Sequence, residues 1–298
     1  MQNRTSRTAE QVALFRALES ARRRDRVFVD PYAVKFLSGG YRLLARLARV
    51  PAVGLRLERY IDEHWPAGPR ASAVARTRLI DDLVLDALSG EAGGGAARQV
   101  VLLGAGYDSR AYRLPAMAGV RVFEVDHPAT QATKQRLLRA HIRSDRRAHV
   151  RLVPVDLAAD DLAGALREAG FEALERTVVV WEGVTNYLTE RAVDTTVRQL
   201  AAIAGSGSRL LFTYVDRAAL DGTGGFTGFD EWHAAVRKQG EPWTFGFDPG
   251  ELPGYLAERG MRLFLDLSAR DAADRYLLPL GRRAPAAPFY RIAAAEIL

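Results

Sequence analysis

The 298-residue sequence contains no cysteine, which excludes disulfides, thiolate metal sites and cysteine nucleophiles. Lysine is nearly absent as well: Lys35, Lys134 and Lys238 are the only three among 42 basic residues. No stretch approaches the ~18 unbroken apolar residues of a membrane span, and the opening MQNRTSRTAEQ has no apolar signal-type core. The expectation is a cytoplasmic protein without a membrane partner. No histidine pair stands at metal-ligand spacing, so no metal site is expected either.

What is present is ordinary for a globular chain: 48% hydrophobic and 26% charged residues, enough apolar surface to argue against long disorder. The formal charge of +6 and the pI near 9.8 invite a nucleic-acid partner. The arginines, however, are scattered among acids and form no stripe, so none is expected. The densest run, Arg22 to Arg26, sits at the end of a predicted helix, where cations suit the macrodipole and a solvated role suffices. Oligomeric state is not legible.

Residues 1–92 read as consecutive helices forming an N-terminal cap. Thr8 with Gln11 makes a candidate capping box, Asp30-Pro31 starts a second helix that Gly39-Gly40 ends, and Pro51 and Pro66 interrupt the stretch beyond it. A long helix covers about 70–89, ahead of a glycine hinge at 93–95. The grammar then changes to short apolar runs alternating with helical segments, the signature of βαβ units. Strands are expected at 99–103, 120–125, 150–155, 177–182 and 208–215, with helices beginning near Pro128, Asp160 and Thr189. A sixth strand is expected at 261–267 and a last edge strand in FYRIAAAEIL. The expected fold class is α/β, a doubly wound, mostly parallel Rossmann-like sheet over 93–298, with a lid insertion at about 217–250.

In open α/β sheets ligands bind beyond the carboxyl ends of the strands. There the sequence places Gly104-Ala105-Gly106, Asp126, Asp156-Leu157 and Glu182. The glycines permit a tight turn and close ligand approach, although Ser109 breaks the full GxGxxG pattern. Asp126, 22 residues after Gly104, is placed to accept both hydroxyls of a ribose; capping the helix at His127-Pro128 is the alternative. Asp156 suits an adenine amino group, with Leu157 on the ring, or a helix cap. Glu182 follows an apolar run and calls for a partner such as a ligand ammonium. Arg76 suits a ligand carboxylate, or an ion pair with Asp81 or Glu91.

The segments TAEQVALFRALESARR, DPYA, ARTRLIDD, VVLLGAGYDSRAYRL, FEVDHP, PVDL and EGVTNYL resemble the class I methyltransferases related to leucine carboxyl methyltransferase, including the polyketide-carboxyl branch, from about residue 5 to 268. The resemblance implies S-adenosyl-L-methionine as cofactor. Arg76 would then hold the methionine carboxylate, Gly104, Ala105 and Gly106 would flank that moiety, and Asp126 would bind ribose. Asp156 and Leu157 would bind adenine and Glu182 the amino-acid end. Arg16 corresponds to a basic cofactor contact, at a longer spacing from DPYA. Thr185-Asn186 departs from the small apolar residues of the family pattern, which bears on the acceptor.

The sulfonium already activates the methyl group, so in-line positioning and exclusion of water are the main requirements. An acceptor carboxylate needs no base, whereas a phenol usually does. Candidates near the acceptor are Tyr187, Tyr214 and His233, each with packing as the plainer role. His127, His141 and His149 read as surface residues. The expected function is O-methylation of a small molecule, a carboxylate before a phenol, in secondary metabolism. An NAD(P)-dependent oxidoreductase and a binding protein without catalysis remain alternatives. The aromatics Phe15 and Tyr32 of the cap, with Phe226, Phe229, Trp232, Trp243 and Phe245 of the insertion, are expected to wall the acceptor, and the glycines from 222 to 228 to let that lid move.

Overall fold

In the computed structural model of the chain, the described residues are 7–66, 68–90 and 95–298, so Glu91 and most of the 93–95 hinge lie outside them. Five helices come first: α1 (Arg7–Ala21), α2 (Ala33–Phe36), α3 (Gly39–Leu47), α4 (Pro51–His64) and α5 (Pro69–Ser89). Asp30 Oδ1 accepts the amides of Tyr32 (3.0 Å) and Ala33 (2.9 Å), satisfying donors that a helix start leaves free. Pro51 and Pro69 occupy the first turns of α4 and α5, where a missing N–H does no harm.

Two expected boundaries are corrected. Thr8 lies inside α1 and its hydroxyl donates to the Glu241 carboxylate, so it does not cap the helix. Gly39 and Gly40 open α3, because α2 has already ended at Phe36; Gly39, at φ +39°, takes the left-handed backbone that redirects the chain between the two helices.

Strands and helices then alternate: β1 (Gln99–Leu103), α6 (Arg110–Arg113), β2 (Arg121–Asp126), α7 (Pro128–His141), β3 (Val150–Pro154), α8 (Leu162–Glu168), β4 (Thr177–Trp181), α9 (Glu190–Ile203) and β5 (Arg209–Val215). Next come α10 (Arg217–Leu220), α11 (Phe229–Lys238), α12 (Leu252–Ala257), β6 (Met261–Ser268), α13 (Ala269–Leu277) and β7 (Tyr290–Ile297). The sheet runs β3-β2-β1-β4-β5-β7-β6. β1 to β5 pair in parallel, and β7 is antiparallel to both its neighbours.

The last strand is therefore not an edge, as expected from its place in the chain. It inserts between β5 and β6, and β6 forms the edge. Side chains explain the order: Ala293, Ala294 and Ala295 of β7 are fully buried, while β6 exposes Arg262 and Phe264. Small residues suit a strand covered on both faces.

Alternation along each strand feeds two cores. Val100, Leu102, Val178 and Val180 pack with Leu14, Ile80 and Ala272 on one face; Val101, Leu103, Val179 and Trp181 pack with Leu166, Val193 and Leu200 on the other. Apolar residues on both faces are what a doubly wound sheet requires. α5 shares the first core with the sheet, which carries Arg76 to the strand ends. The strand order reverses between β1 and β4, and the crevice beyond their carboxyl ends is the place for a ligand.

Candidate active site at the strand ends

The turn after β1 is built on Gly104 (φ +61°) and Gly106 (φ +39°). A Cβ on Gly104 would stand 2.2 Å from Val184 Cγ2, so a side chain there would collide with the β4 loop. Ala105 N donates to the Val125 carbonyl (3.0 Å), and Lys134 Nζ donates to the Ala105 carbonyl (3.3 Å). Lys134 is buried and also lies 2.9 Å from Glu124 Oε2. Burial pushes the Glu124 carboxyl up, with Lys134 opposing.

Asp126 reaches across to this turn. Its Oδ2 accepts the Gly106 amide (2.5 Å) and its Oδ1 the His127 amide (2.7 Å). His127 itself caps α7, its Nδ1 accepting from Ala129 N (3.3 Å), so the capping alternative for Asp126 is not what the fold uses. Burial raises the Asp126 pKa against the pull of the two amides.

Around Glu182 the buried charges alternate. Arg76 Nε donates to Glu182 Oε1 (2.7 Å), and Arg110 Nη1 to Glu182 Oε2 (2.7 Å) and Asp108 Oδ2 (2.6 Å). Arg110 Nε and Arg113 Nη2 both donate to Asp81 Oδ1, at 2.7 and 2.6 Å. Three guanidinium groups thus face three carboxylates. Burial is the largest single influence on Glu182 and Asp108 and works against their ionisation, but the opposing influences together outweigh it, Arg110 foremost, then Arg76 at Glu182 and Arg16 at Asp108, and both stay below the usual carboxylate range. Glu182 is therefore already paired within the protein, and Arg76 bonds it and not Asp81, one of the two alternative ion-pair partners; the other, Glu91, lies outside the described residues. Arg110, Arg113 and Asp108 were given no role from the sequence, and Asp81 was weighed only as a partner of Arg76. Their signal was charge among apolar neighbours in IDDL and GYDSRAYRL, which demands burial in pairs.

Arg16 is also committed. Its Nη2 donates to the Tyr107 carbonyl (2.5 Å), and its Nη1 lies 3.3 Å from Ser109 Oγ and 3.4 Å from Asp30 Oδ2. Ser109 Oγ donates to the same Asp30 oxygen (2.6 Å). This clamp seats α1 and the Asp30 loop on the β1 turn. Asp156 sits two residues past β3, its Oδ1 accepting from Ala158 N (3.0 Å), and holds a local turn; α8 starts only at Leu162, so Asp156 is not its cap. Leu157 is half-buried against the second core.

The acceptor candidates separate. Tyr214 points its hydroxyl at Asp266 Oδ2 (2.8 Å) and receives Arg291 Nε (3.0 Å), within the second core, away from the β1 turn. Tyr187 packs in the first core, and burial followed by Tyr290 pushes its phenol up. His233 stacks on Trp243 (5.8 Å, 14°) and Phe229 (5.1 Å), with Nε2 buried and unpartnered; burial and then Arg237 lower its pKa.

The expected aromatic wall is only partly assembled. Phe226, Phe229, Trp232 and Trp243 gather around Phe289, just before β7, and Tyr290, its first residue, both read from the sequence only as part of a strand. Phe15 pairs with Trp65, Tyr32 with Tyr112, and Phe245 with Phe247 in the other core. Arg76 lies 5.1 Å over the Tyr290 ring, joining this cluster to the charged one. Thr213 pins the β4 loop, accepting Gly183 N (2.7 Å) at Oγ1 and Thr185 Oγ1 (2.6 Å) at its carbonyl. Thr185 is thus structural, while both side-chain polar atoms of the buried Asn186 lack partners.

A reversed-order sheet with one antiparallel strand near its edge, a glycine turn after β1 and an acid after β2 define a Rossmann-like methyltransferase architecture. Similar folds occur in a Thermobifida fusca protein described as a candidate methyltransferase (TM-score 0.57, 18% identity, 82% of this chain and 88% of that one) and in a DUF574-family protein of Streptomyces avermitilis (TM-score 0.55, 13% identity, 97% of each). The leucine carboxyl methyltransferase family model matches residues 9–201. A Mycobacterium sp. (strain JLS) protein is 35% identical over 274 residues, 86% of this chain and 83% of that one. A Frankia alni protein is 36% identical over 214 residues, 72% and 70%. Both relatives are named as candidate S-adenosyl-L-methionine-dependent methyltransferases. The chain belongs to the leucine carboxyl methyltransferase family.

Proposed function

We propose that this methyltransferase uses S-adenosyl-L-methionine to methylate an oxygen of a hydrophobic small molecule, and that the oxygen is a carboxylate. The cofactor part rests on the β1 turn and Asp126: glycine backbone for close approach, and an acid beside it for ribose hydroxyls. Asp156 and Leu157 lie at the next strand end, where adenine would reach them. Arg76 and Glu182 are paired with one another, and a zwitterionic amino-acid end would replace that contact without a net charge change, its carboxylate taking Arg76 and its ammonium Glu182. Bound there, the cofactor supplies an electrophilic methyl group; the chain's own task is orientation and exclusion of water.

The observation that carries the carboxylate reading is the state of the two tyrosines. Tyr214 is taken by Asp266 and Arg291, and the Tyr187 phenol is held protonated by burial. Neither makes a base, and an acceptor that is already anionic needs none. His233 supports a second reading: an imidazole nitrogen without a partner among the described residues, on a ring whose pKa burial lowers, suits deprotonation of a phenol. The product decides between them. With methyl-labelled cofactor and a panel of aromatic acids and phenols, a methyl ester releases labelled methanol in mild alkali, and a methyl ether keeps its label. Label that survives alkali removes the carboxylate reading and leaves methyl transfer standing.

A further inference from the structure

A separate cavity of about 320 Å³ opens where the start of α2 meets the end of α6 and the turn after α7. It is lined by Lys35, Arg113, Arg143 and Arg146, by His141, and by the rings of Tyr32 and Tyr112, with no carboxylate in its wall. α7 separates it from Asp126: that helix has 14 residues, and at ~1.5 Å each they span ~21 Å.

Nearby acids are already engaged. Asp30 serves α2, Ser109 and Arg16; Asp81 serves Arg110 and Arg113; Asp145 meets Arg143 in a pair exposed to solvent. Lys35 Nζ donates, among the described residues, to the His141 carbonyl alone (3.2 Å), and it lies 4.8 Å over the Tyr32 ring. Among the described residues no carboxylate comes within ion-pair reach of Lys35 or Arg146. Arg113 bonds Asp81 through Nη2, but its Nε is buried without a hydrogen bond among the described residues, with Asp30 Oδ2 3.9 Å away. A buried donor without an acceptor is rare enough to require a reason.

We propose that this cavity binds a small molecule carrying a phosphate group on a planar ring. Lys35 and Arg146 bring uncompensated charge from the cap and from the turn after α7, and Arg113 adds a fixed donor; several cations converging on one void suit a dianion better than a monoanion. Tyr32 and Tyr112, edge to face at 6.3 Å, form the wall on which a ring can lie. The volume falls in the range of small-molecule pockets and exceeds what a bare phosphate fills.

Calorimetry on the full chain at fixed ionic strength tests this with phenyl phosphate and inorganic phosphate as probes. The expected result is saturable one-to-one binding, with phenyl phosphate several-fold tighter. Arg113 is left intact because it shares Asp81 with Arg110. Lys35→Glu with Arg146→Glu should weaken phenyl phosphate at least about tenfold, whereas Arg24→Glu, an exposed charge elsewhere, should not. Should the double charge reversal unfold the chain, Lys35→Gln with Arg146→Gln reads the same loss. The site assignment is overturned by absence of saturable phenyl phosphate binding, by undiminished binding in the double variant, or by an equal loss in Arg24→Glu. Equal affinities for the two probes overturn the ring.

Discussion

Two buried regions meet at the strand ends and solve the problem of burying polar groups in opposite ways. Around Arg110 every charge has a counter-ion: Arg76, Arg110 and Arg113 meet Asp81, Asp108 and Glu182 at 2.6–2.7 Å, and of these guanidinium nitrogens only Arg113 Nε is buried without a hydrogen bond among the described residues. Around Trp243 the rings are packed, but Trp243 Nε1, His233 Nε2 and the Asn186 amide have no hydrogen-bond partner among the described residues. A charge-paired network admits an ionic ligand by exchange, which a zwitterion can do at constant charge. Unpaired groups in an apolar wall gain from a ligand that brings the missing bonds. On the proposed function, the first region would hold the amino-acid end of the cofactor and the second would select the acceptor.

The comparison is broken most severely at Arg110. Arg110→Met leaves three buried carboxylates short of a counter-ion, and a loss of about 3–5 kcal/mol of folding stability is expected in denaturant titrations; a loss under 1 kcal/mol would mean that the network relaxes into solvent. Asp126→Ala comes next. Ribose hydrogen bonds to a carboxylate are worth about 1.5–3 kcal/mol each, so affinity for S-adenosylmethionine should fall at least about tenfold by calorimetry. Unchanged affinity in the folded variant would remove Asp126 from the cofactor site.

Acid should separate the two regions. Glu182 and Asp108 are held below the usual carboxylate range, so their stabilisation is fully present above pH ~4 and is lost as pH falls below it. His233 is held below the usual imidazole range. The unfolded ring takes its proton from pH ~6.5 downward while the folded ring resists, so the aromatic region weakens in this higher window. Tryptophan fluorescence is expected to change before far-ultraviolet circular dichroism as pH falls, and one coincident transition would erase the distinction.

The smallest effect on the fold belongs to Asn186→Leu. Removing an unpartnered amide should leave stability within about 1 kcal/mol of the parent, or raise it. The acceptor KM should nevertheless rise, with the affinity for S-adenosylmethionine unchanged. A large loss of stability would show that the amide is bonded within the protein.

Much of the framework was legible because its signals are local. Val100 to Leu103 and Val178 to Trp181 announce strands covered on both faces; Gly104 and Gly106 stand where the backbone turns with positive φ; Asp126 stands at the end of β2, beside that turn. Thr189 was legible as a helix start, and its hydroxyl accepts the Ala192 amide (3.2 Å). Each depends on a few neighbouring residues and on the rules of strand, turn and cap.

What the tertiary structure alone decided depends on partners far apart in the chain. β7 inserts between β5 and β6 because its small residues can be covered on both faces, a choice that strand periodicity does not contain. Glu182 meets Arg76 and Arg110, 106 and 72 residues away, and a charge in a sequence does not name its counter-ion. Phe289 and Tyr290 reach the aromatic cluster only because β7 runs antiparallel beside β5. Local periodicity determined the strands, the turn and the acid after β2. Long-range packing chose which side chains those elements bring together, since burial forces each polar group to find whatever partner the fold places within reach.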